Sequence, residues 1–350
     1  LRDENGTIYT QPAPQQVKFT VSERCITTTG TGGFDCGLAT NYTTANASHW
    51  PDTPVDQSCA ATPCTNYSPT FFTRKRLTSI TTQYYNGSGY TKVDTYALGQ
   101  SFPTSDTAGD QELELDSITR TGYTSTGSSI KLPAVAFTYT ALDNRVANYS
   151  GLPSMAHSRL TGITAETGEH TAITYSAKQC TATSVPDPAN LAGNTMRCFP
   201  VYWTQPGQTS PSLDFFHKYL VTRVATSDGL GLSPGRQSNY TYLGNPAWHL
   251  DDNELVKPAY RTYGQFRGYA QVEVRTGNTG NSSNGVADKQ TLVRTGYLRG
   301  IGGNVTDTLG DTLADPDEDA GLAFEVQTFN GSGGAQLSTT INRYHTLATT

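Results

Sequence analysis

Four carboxylates at alternate positions, Asp110, Glu112, Glu114 and Asp116, are interleaved with Leu113 and Leu115. On a strand this pattern sets the acids on one face and the leucines on the other. Two such carboxylates ~5–10 Å apart would serve a glycosidase as acid and nucleophile or base. A solvated strand face accounts for the same alternation, and its charge discourages unwanted edge pairing. Near the C-terminal end, Asp315-Pro316-Asp317-Glu318-Asp319 offers oxygens at alternate places, as the first ligands of a calcium loop do. Asp315, Asp317 and Asp319 are therefore the metal candidates. The EF-hand loop further demands Gly at its sixth and Glu at its twelfth position; Ala320 and Val326 stand there. An acidic turn is the simpler expectation, and no other cofactor is expected.

The remaining chemistry-bearing types are scattered. His49, His157, His170, His217, His249 and His345 include no pair at the i,i+4 spacing of a helical zinc site. No nucleophile elbow is expected, so a serine hydrolase of that class has no signature. Nor do the glycines form a phosphate cradle between strand and helix. Phe266-Arg267-Gly268-Tyr269 has the look of a binding motif. The structural expectation is that Gly268 allows close strand approach, Arg267 pairs locally and the aromatics pack.

The elements that must carry these residues are strands. Of 350 residues, only 15% are charged, with 34 Gly, 18 Pro, 20 Tyr and just two Met. Tyr favours pleated, half-buried positions, and material for long helices is scarce. A net charge of −6 argues against nucleic acid as a partner, which calls for a basic stripe. No apolar run approaches the ~18 residues of a membrane helix. The chain opens on Leu1 without Met, and is expected to be a mature product or a segment of something longer. Six cysteines fall into three close pairs, Cys25 with Cys36, Cys59 with Cys64 and Cys180 with Cys198. Sequence leaves their connectivity open. Each near pair brackets a Gly-, Pro- or Asn-rich loop, so three local disulfides and an oxidising, extracytoplasmic setting are expected.

Apolar–polar alternation predicts strands over 16–21, 78–85, 90–98, 112–119, 135–140, 269–275 and 291–298. Asn86-Gly87-Ser88-Gly89 and Thr167-Gly168-Glu169 read as hairpin turns. Residues 212–217 and 251–256 are the two expected short helices, and the Gly/Asn/Ser/Thr-rich stretch 276–285 an exposed flexible loop. Internal similarity is informative. Arg76-Leu77-Thr78-Ser79-Ile80-Thr81 recurs as Arg159-Leu160-Thr161-Gly162-Ile163-Thr164. Looser copies begin at Glu114 and Tyr219, and each opening strand is answered by one ending in Tyr: Tyr96, Tyr139, Tyr175 and Tyr242. Unequal intervals disfavour a fixed-period solenoid, so laterally joined hairpins are expected. The expected organisation is one continuous all-β chain over 1–350. A disulfide-tied, loop-rich opening region would occupy 1–67 and hairpin repeats 68–350, with consecutive β-hairpins forming a curved strip with long loops and little helix.

This pattern resembles the RHS/YD-repeat family, whose hairpins wind into a hollow cocoon. The similarity is to the segment ahead of the YD repeats in large secreted actinobacterial RHS proteins. It rests on Glu23-Arg24-Cys25, Phe34-Asp35-Cys36, Trp50-Pro51-Asp52, Phe71-Phe72-Thr73-Arg74-Lys75-Arg76-Leu77 and, most specifically, Tyr263-Gly264-Gln265-Phe266-Arg267-Gly268-Tyr269. Similar Phe-Arg-Gly-Tyr strings occur in Tc-toxin cocoons. The resemblance implies a secreted or cell-surface wall segment, without catalysis of its own, that helps to enclose a C-terminal toxin. Its partners would be the rest of the shell and the enclosed toxin, with self-association through edge strands as a further expectation. The family's self-cleaving carboxylate motif and a toxin domain are not found in this sequence. Two other readings compete: a glycan-binding adhesin using Trp50, Trp203 and Trp248 as platforms, and a β-rich polysaccharide hydrolase using the alternating carboxylates.

Overall fold

The computed structural model is described for residues 4–6, 8, 11–26, 34–58, 72–104, 111–205, 207–283 and 285–345. It is 46% strand and 7% helix, built of antiparallel hairpins, and among the described residues no sheet closes into a barrel. Two compact units emerge, Leu1–Thr138 with Ile163–Gly168, and Tyr139–Gly162 with Glu169–Thr350.

The first unit is built on β1 (Gln15–Glu23), β2 (Lys75–Tyr85), β3 (Tyr90–Ser101) and β4 (Glu114–Tyr123), paired antiparallel in that order. β4 also pairs with β5 (Ser129–Lys131) and with β6 (Val135–Leu142). The β2–β3 turn forms where Asn-Gly-Ser-Gly predicts it: the Asn86 side chain accepts the Ser88 and Gly89 N–H groups, and Gly87 takes φ 99°. Between β1 and β2 the described residues include short 3₁₀ turns at Ala39–Asn41, Thr44–His49 and Val55–Gln57. Propensity alone would not order so polar a stretch. It is held by a small core of Trp50, Val55 and the Cys25–Cys36 disulfide, with Phe34 and Tyr42 edge-on to the indole.

The second unit contains β7 (His157–Thr164), β8 (His170–Tyr175), β9 (Cys198–Trp203), β10 (Ser212–His217), β11 (Val221–Ser227), β12 (Arg236–Leu243), β13 (Ala247–His249), β14 (Gln265–Gly268), β15 (Gln271–Thr276), β16 (Ser282–Ser283) and β17 (Val286–Ala287). It continues with β18 (Thr291–Tyr297), β19 (Asn304–Thr306), β20 (Thr312–Ala314), β21 (Ala323–Phe329) and β22 (Gln336–Ile341). A ladder runs β7-β8-β11-β12-β15-β18-β21-β22. The other strands pair two by two, β9–β10, β13–β14, β16–β17 and β19–β20, each inside a connection between ladder strands.

The repeats that open at Arg159 and Tyr219 share a physical fastener. Tyr175 Oη donates to the Leu160 carbonyl at 3.0 Å, and Tyr242 Oη to that of Val221 at 2.8 Å. In both, a Tyr at or next to the end of the returning strand ties back to the strand that opened the hairpin, at mid-strand in β7 and at the first residue of β11. Tyr344, past the end of β22, donates to the carbonyl of Ala323, the first residue of β21, at 2.8 Å.

Three expectations need correction. Residues 212–217 are not helical but form β10, paired with β9 from Ser212↔Trp203 to His217↔Cys198. Tertiary burial decides here, because Asp214 through His217 are all buried. Residues 251–256 form no helix either; the Asp251 and Asn253 side chains accept the N–H groups of Asn253 and Leu255, capturing donors that a helix would use. The 276–285 stretch carries β16, the first strand of the β16–β17 hairpin, and Asn281 Nδ2 donates to Gly235 O at 2.7 Å.

Candidate functional site

The Phe266–Tyr269 motif lies where β14 ends and the chain turns into β15. Gly268 has φ 77°, a conformation that strains any residue with a Cβ. A Cβ there would meet nothing within 4 Å. The expected close strand approach is therefore replaced by a different requirement, a left-handed bend that aims the flanking rings. Phe266 lies 5.1 Å from Trp248 and 6.3 Å from Tyr269, which lies 5.2 Å from Tyr242. Trp248 stacks in turn on Phe199 at 5.2 Å. A cavity of about 400 Å³ opens beside these rings, lined by Tyr242, Phe266, Arg267, Tyr269, Val272 and Tyr297 among others. Burial pushes the Tyr242 and Tyr269 hydroxyls above their ordinary pKa.

Arg267 is the cation of this wall. Its Nη2 meets Asp317 Oδ1 at 2.5 Å and donates to Gln265 Oε1 at 3.0 Å. Gly300, at φ 62°, makes room for it: a Cβ there would fall 2.7 Å from Arg267 Nη1 and 2.8 Å from the Asp317 carbonyl. Asp315, 2% exposed, accepts the backbone N–H groups of Arg299 and Gly300 at 2.7 and 2.6 Å. The first two calcium candidates thus face different partners, Asp315 the backbone and Asp317 a guanidinium. Asp319, third of the set, ends the 3₁₀ turn Asp317–Asp319. Among the described residues no three His, Cys, Asp or Glu side chains converge as a metal-ligand cluster. Chemically, the cavity can receive an apolar or aromatic group; its lining brings no nucleophile and base together.

The most elaborate polar site was not anticipated. Arg145 and Asp214 are both fully buried, with Nε to Oδ2 at 2.5 Å. Arg145 also donates to the Leu152 and Pro153 carbonyls and to Ser150 Oγ. Asp214 further accepts Trp203 Nε1 at 3.1 Å, Gln205 Nε2 at 3.3 Å and the Phe215 N–H at 2.8 Å. A lone Asp inside the apolar run Leu213–Phe216 was the signal that could have revealed it, since a charge there requires a buried partner. With every oxygen engaged, the pair braces the fold.

The other candidates separate. Asp110, Cys59 and Cys64 lie outside the described residues. β4 begins only at Glu114, so Glu112 precedes the strand instead of sharing its face. Asp116 accepts Ser101 Oγ at 2.9 Å. Trp50 and Trp248 are 1% and 6% exposed, which leaves them no face to offer a sugar, and Trp203 is half-buried. Gly231-Leu232-Ser233-Pro234-Gly235 does carry the elbow spacing, against expectation, but it is an exposed tip joining two strands. A nucleophile elbow needs a strand-to-helix turn. Two disulfides form as expected, Cys25–Cys36 and Cys180–Cys198, and fit an oxidising environment. Searches against models of known protein families and against curated proteins return no match.

Proposed function

We propose that this chain is a wall segment of a secreted RHS-type shell that encloses a C-terminal toxin or effector. The observation that carries the reading is the ladder of successive antiparallel hairpins, in which Tyr175 and Tyr242 fasten the returning strand to the opening one. Such units bury little individually and gain stability from their neighbours, as a wall requires. The aromatic bend at Gly268 and the Arg267–Asp317 pair support it as architecture that stiffens a sheet. The two disulfides support a place outside the cytoplasm. Electron cryomicroscopy of the parent gene's full product is the test. The expected result is a hollow spiral of hairpins around a separate domain. A closed sandwich with no enclosed volume, or polysaccharide turnover lost in Glu114→Gln, overturns it.

A further inference from the structure

Among the described residues, one side of β1 has no strand against it, its only strand partner being β2. Val17, Phe19 and Val21 share one face and are 54%, 61% and 56% exposed. The single irregularity of the β1–β2 register falls on β2, where Ser79 and Leu77 pair with Thr20 and Val21 and Thr78 is the extra residue. β1 itself is therefore regular. Of the devices that blunt an edge it carries one charge within its exposed stretch, Lys18, on the face opposite Phe19, with no Pro and no bulge of its own.

An unpaired ladder of N–H and C=O groups restricts the occupant to another extended strand. The side chains narrow the choice further. Set antiparallel to itself with Phe19 opposite Phe19, the strand places Val17 opposite Val21 twice, Lys18 opposite Thr20, Gln16 opposite Ser22 and Gln15 opposite Glu23. Every apolar residue of that face meets an apolar partner and no like charges meet. Shifting by one residue in each strand spoils this, setting Lys18 against Lys18 in one direction and Val17 against Glu23 in the other. Register errors of that kind are resisted where a face is apolar. The sequence around Phe19 is thus self-complementary, as a two-fold, isologous contact demands.

We propose that two copies of this chain associate through β1, antiparallel, with Phe19 on the two-fold axis. The contact extends the ladder of the first unit from β2 across β1 into a second molecule, and it does not depend on the shell reading.

Sedimentation equilibrium of the purified chain should show a reversible dimer. Phe19→Lys should weaken association roughly a hundredfold, since each copy loses a buried aromatic and gains a charge facing its own image. The chain has no free cysteine among the described residues, so Phe19→Cys should form an intermolecular disulfide under mild oxidation, while Lys18→Cys should not. A chain that stays monomeric at high concentration, or a dimer untouched by Phe19→Lys with Phe19→Cys uncross-linked, overturns the proposal. The circular dichroism spectrum of each variant separates lost association from lost folding.

Discussion

In the second unit, the hairpin ladder and the excursion between β8 and β11 keep their polar groups in different places. Ladder side chains are mostly half-buried, and their bonds are local and repeated: Tyr175 to Leu160, Tyr242 to Val221, and Glu273 held between Arg275 and Arg294 at 2.6 Å each. The excursion concentrates everything in one spot. Cys180, Cys198 and Phe215 form a core at most 2% exposed together with Val146 of the β6–β7 connection, and Arg145 of that same connection reaches Asp214 of the excursion in a fully buried pair. Distributed fastening loses stability in small steps when one fastener goes. A buried ion pair with all its partners engaged fails as a unit, because removing one charge strands the other.

The contrast can be broken at its strongest point first. Asp214→Ala leaves the Arg145 guanidinium buried and uncompensated, and is expected to cost ~3–5 kcal/mol. Urea unfolding should register it; a loss near 1 kcal/mol would mean that the excursion is fastened as loosely as the ladder. Next comes the bridge. Cys180 and Cys198 are 18 residues apart, so replacing both by Ser should cost ~3 kcal/mol through the freer unfolded chain, measured as the drop in the urea midpoint. Gly268→Ala should cost ~1–2 kcal/mol, the penalty for a Cβ in the left-handed region, without any added clash because the space is open. A much larger loss would restore the close-approach explanation for this glycine. Tyr175→Phe should cost only ~0.5–1.5 kcal/mol, the worth of one hydrogen bond, and combined with Tyr242→Phe the two losses should add.

Acid sharpens the same contrast with the smallest effect. Burial lowers the pKa of His217, in β10, outweighing the pull of Asp143. The unfolded chain then takes up the proton first. His217's contribution is complete above the ordinary value of ~6.5 and is lost as pH falls from there through its lowered folded value. For Glu273, burial alone would raise the pKa, but Arg294 and Arg275 outweigh it and hold the carboxyl below the usual range. Its contribution persists until the ordinary carboxylate range and is lost below it. Amide hydrogen exchange followed down a pH series should therefore show β10 losing protection before β15.

The ladder was legible because it is written in local signals. Gly87 and Gly168 supply positive φ at turn tips, and 78–85 and 291–298 are rich in the β-branched and aromatic residues that favour strands. The excursions were not legible, because their structure depends on residues distant in sequence. Leu213-Asp214-Phe215-Phe216 has no periodicity that distinguishes strand from helix. It becomes a strand only once Arg145, 69 residues away, satisfies Asp214 and β9 supplies the ladder. Gly268 was recognised as special for the wrong reason, since sequence shows that a side chain is absent but not whether space or φ requires it. The disulfides Cys25–Cys36 and Cys180–Cys198 followed from proximity, whereas the cavity beside Tyr242 and Tyr269 draws its lining from residues as far apart as Tyr242 and Gly321.

The tyrosine tie carries a consequence for ancestry. A hairpin that brings its own lock, spanning only 15 residues from Leu160 to Tyr175 or 21 from Val221 to Tyr242, is complete within one short stretch of coding sequence. Duplicating that stretch in frame delivers a working part, with no matching change required elsewhere. Chains assembled this way can lengthen or shorten by whole hairpins while the excursions between them diverge freely. The Arg-Leu-Thr-x-Ile-Thr heading at Arg76 recurs at Arg159, where the hairpin also carries its tyrosine lock, and such recurrence is the pattern that copying produces.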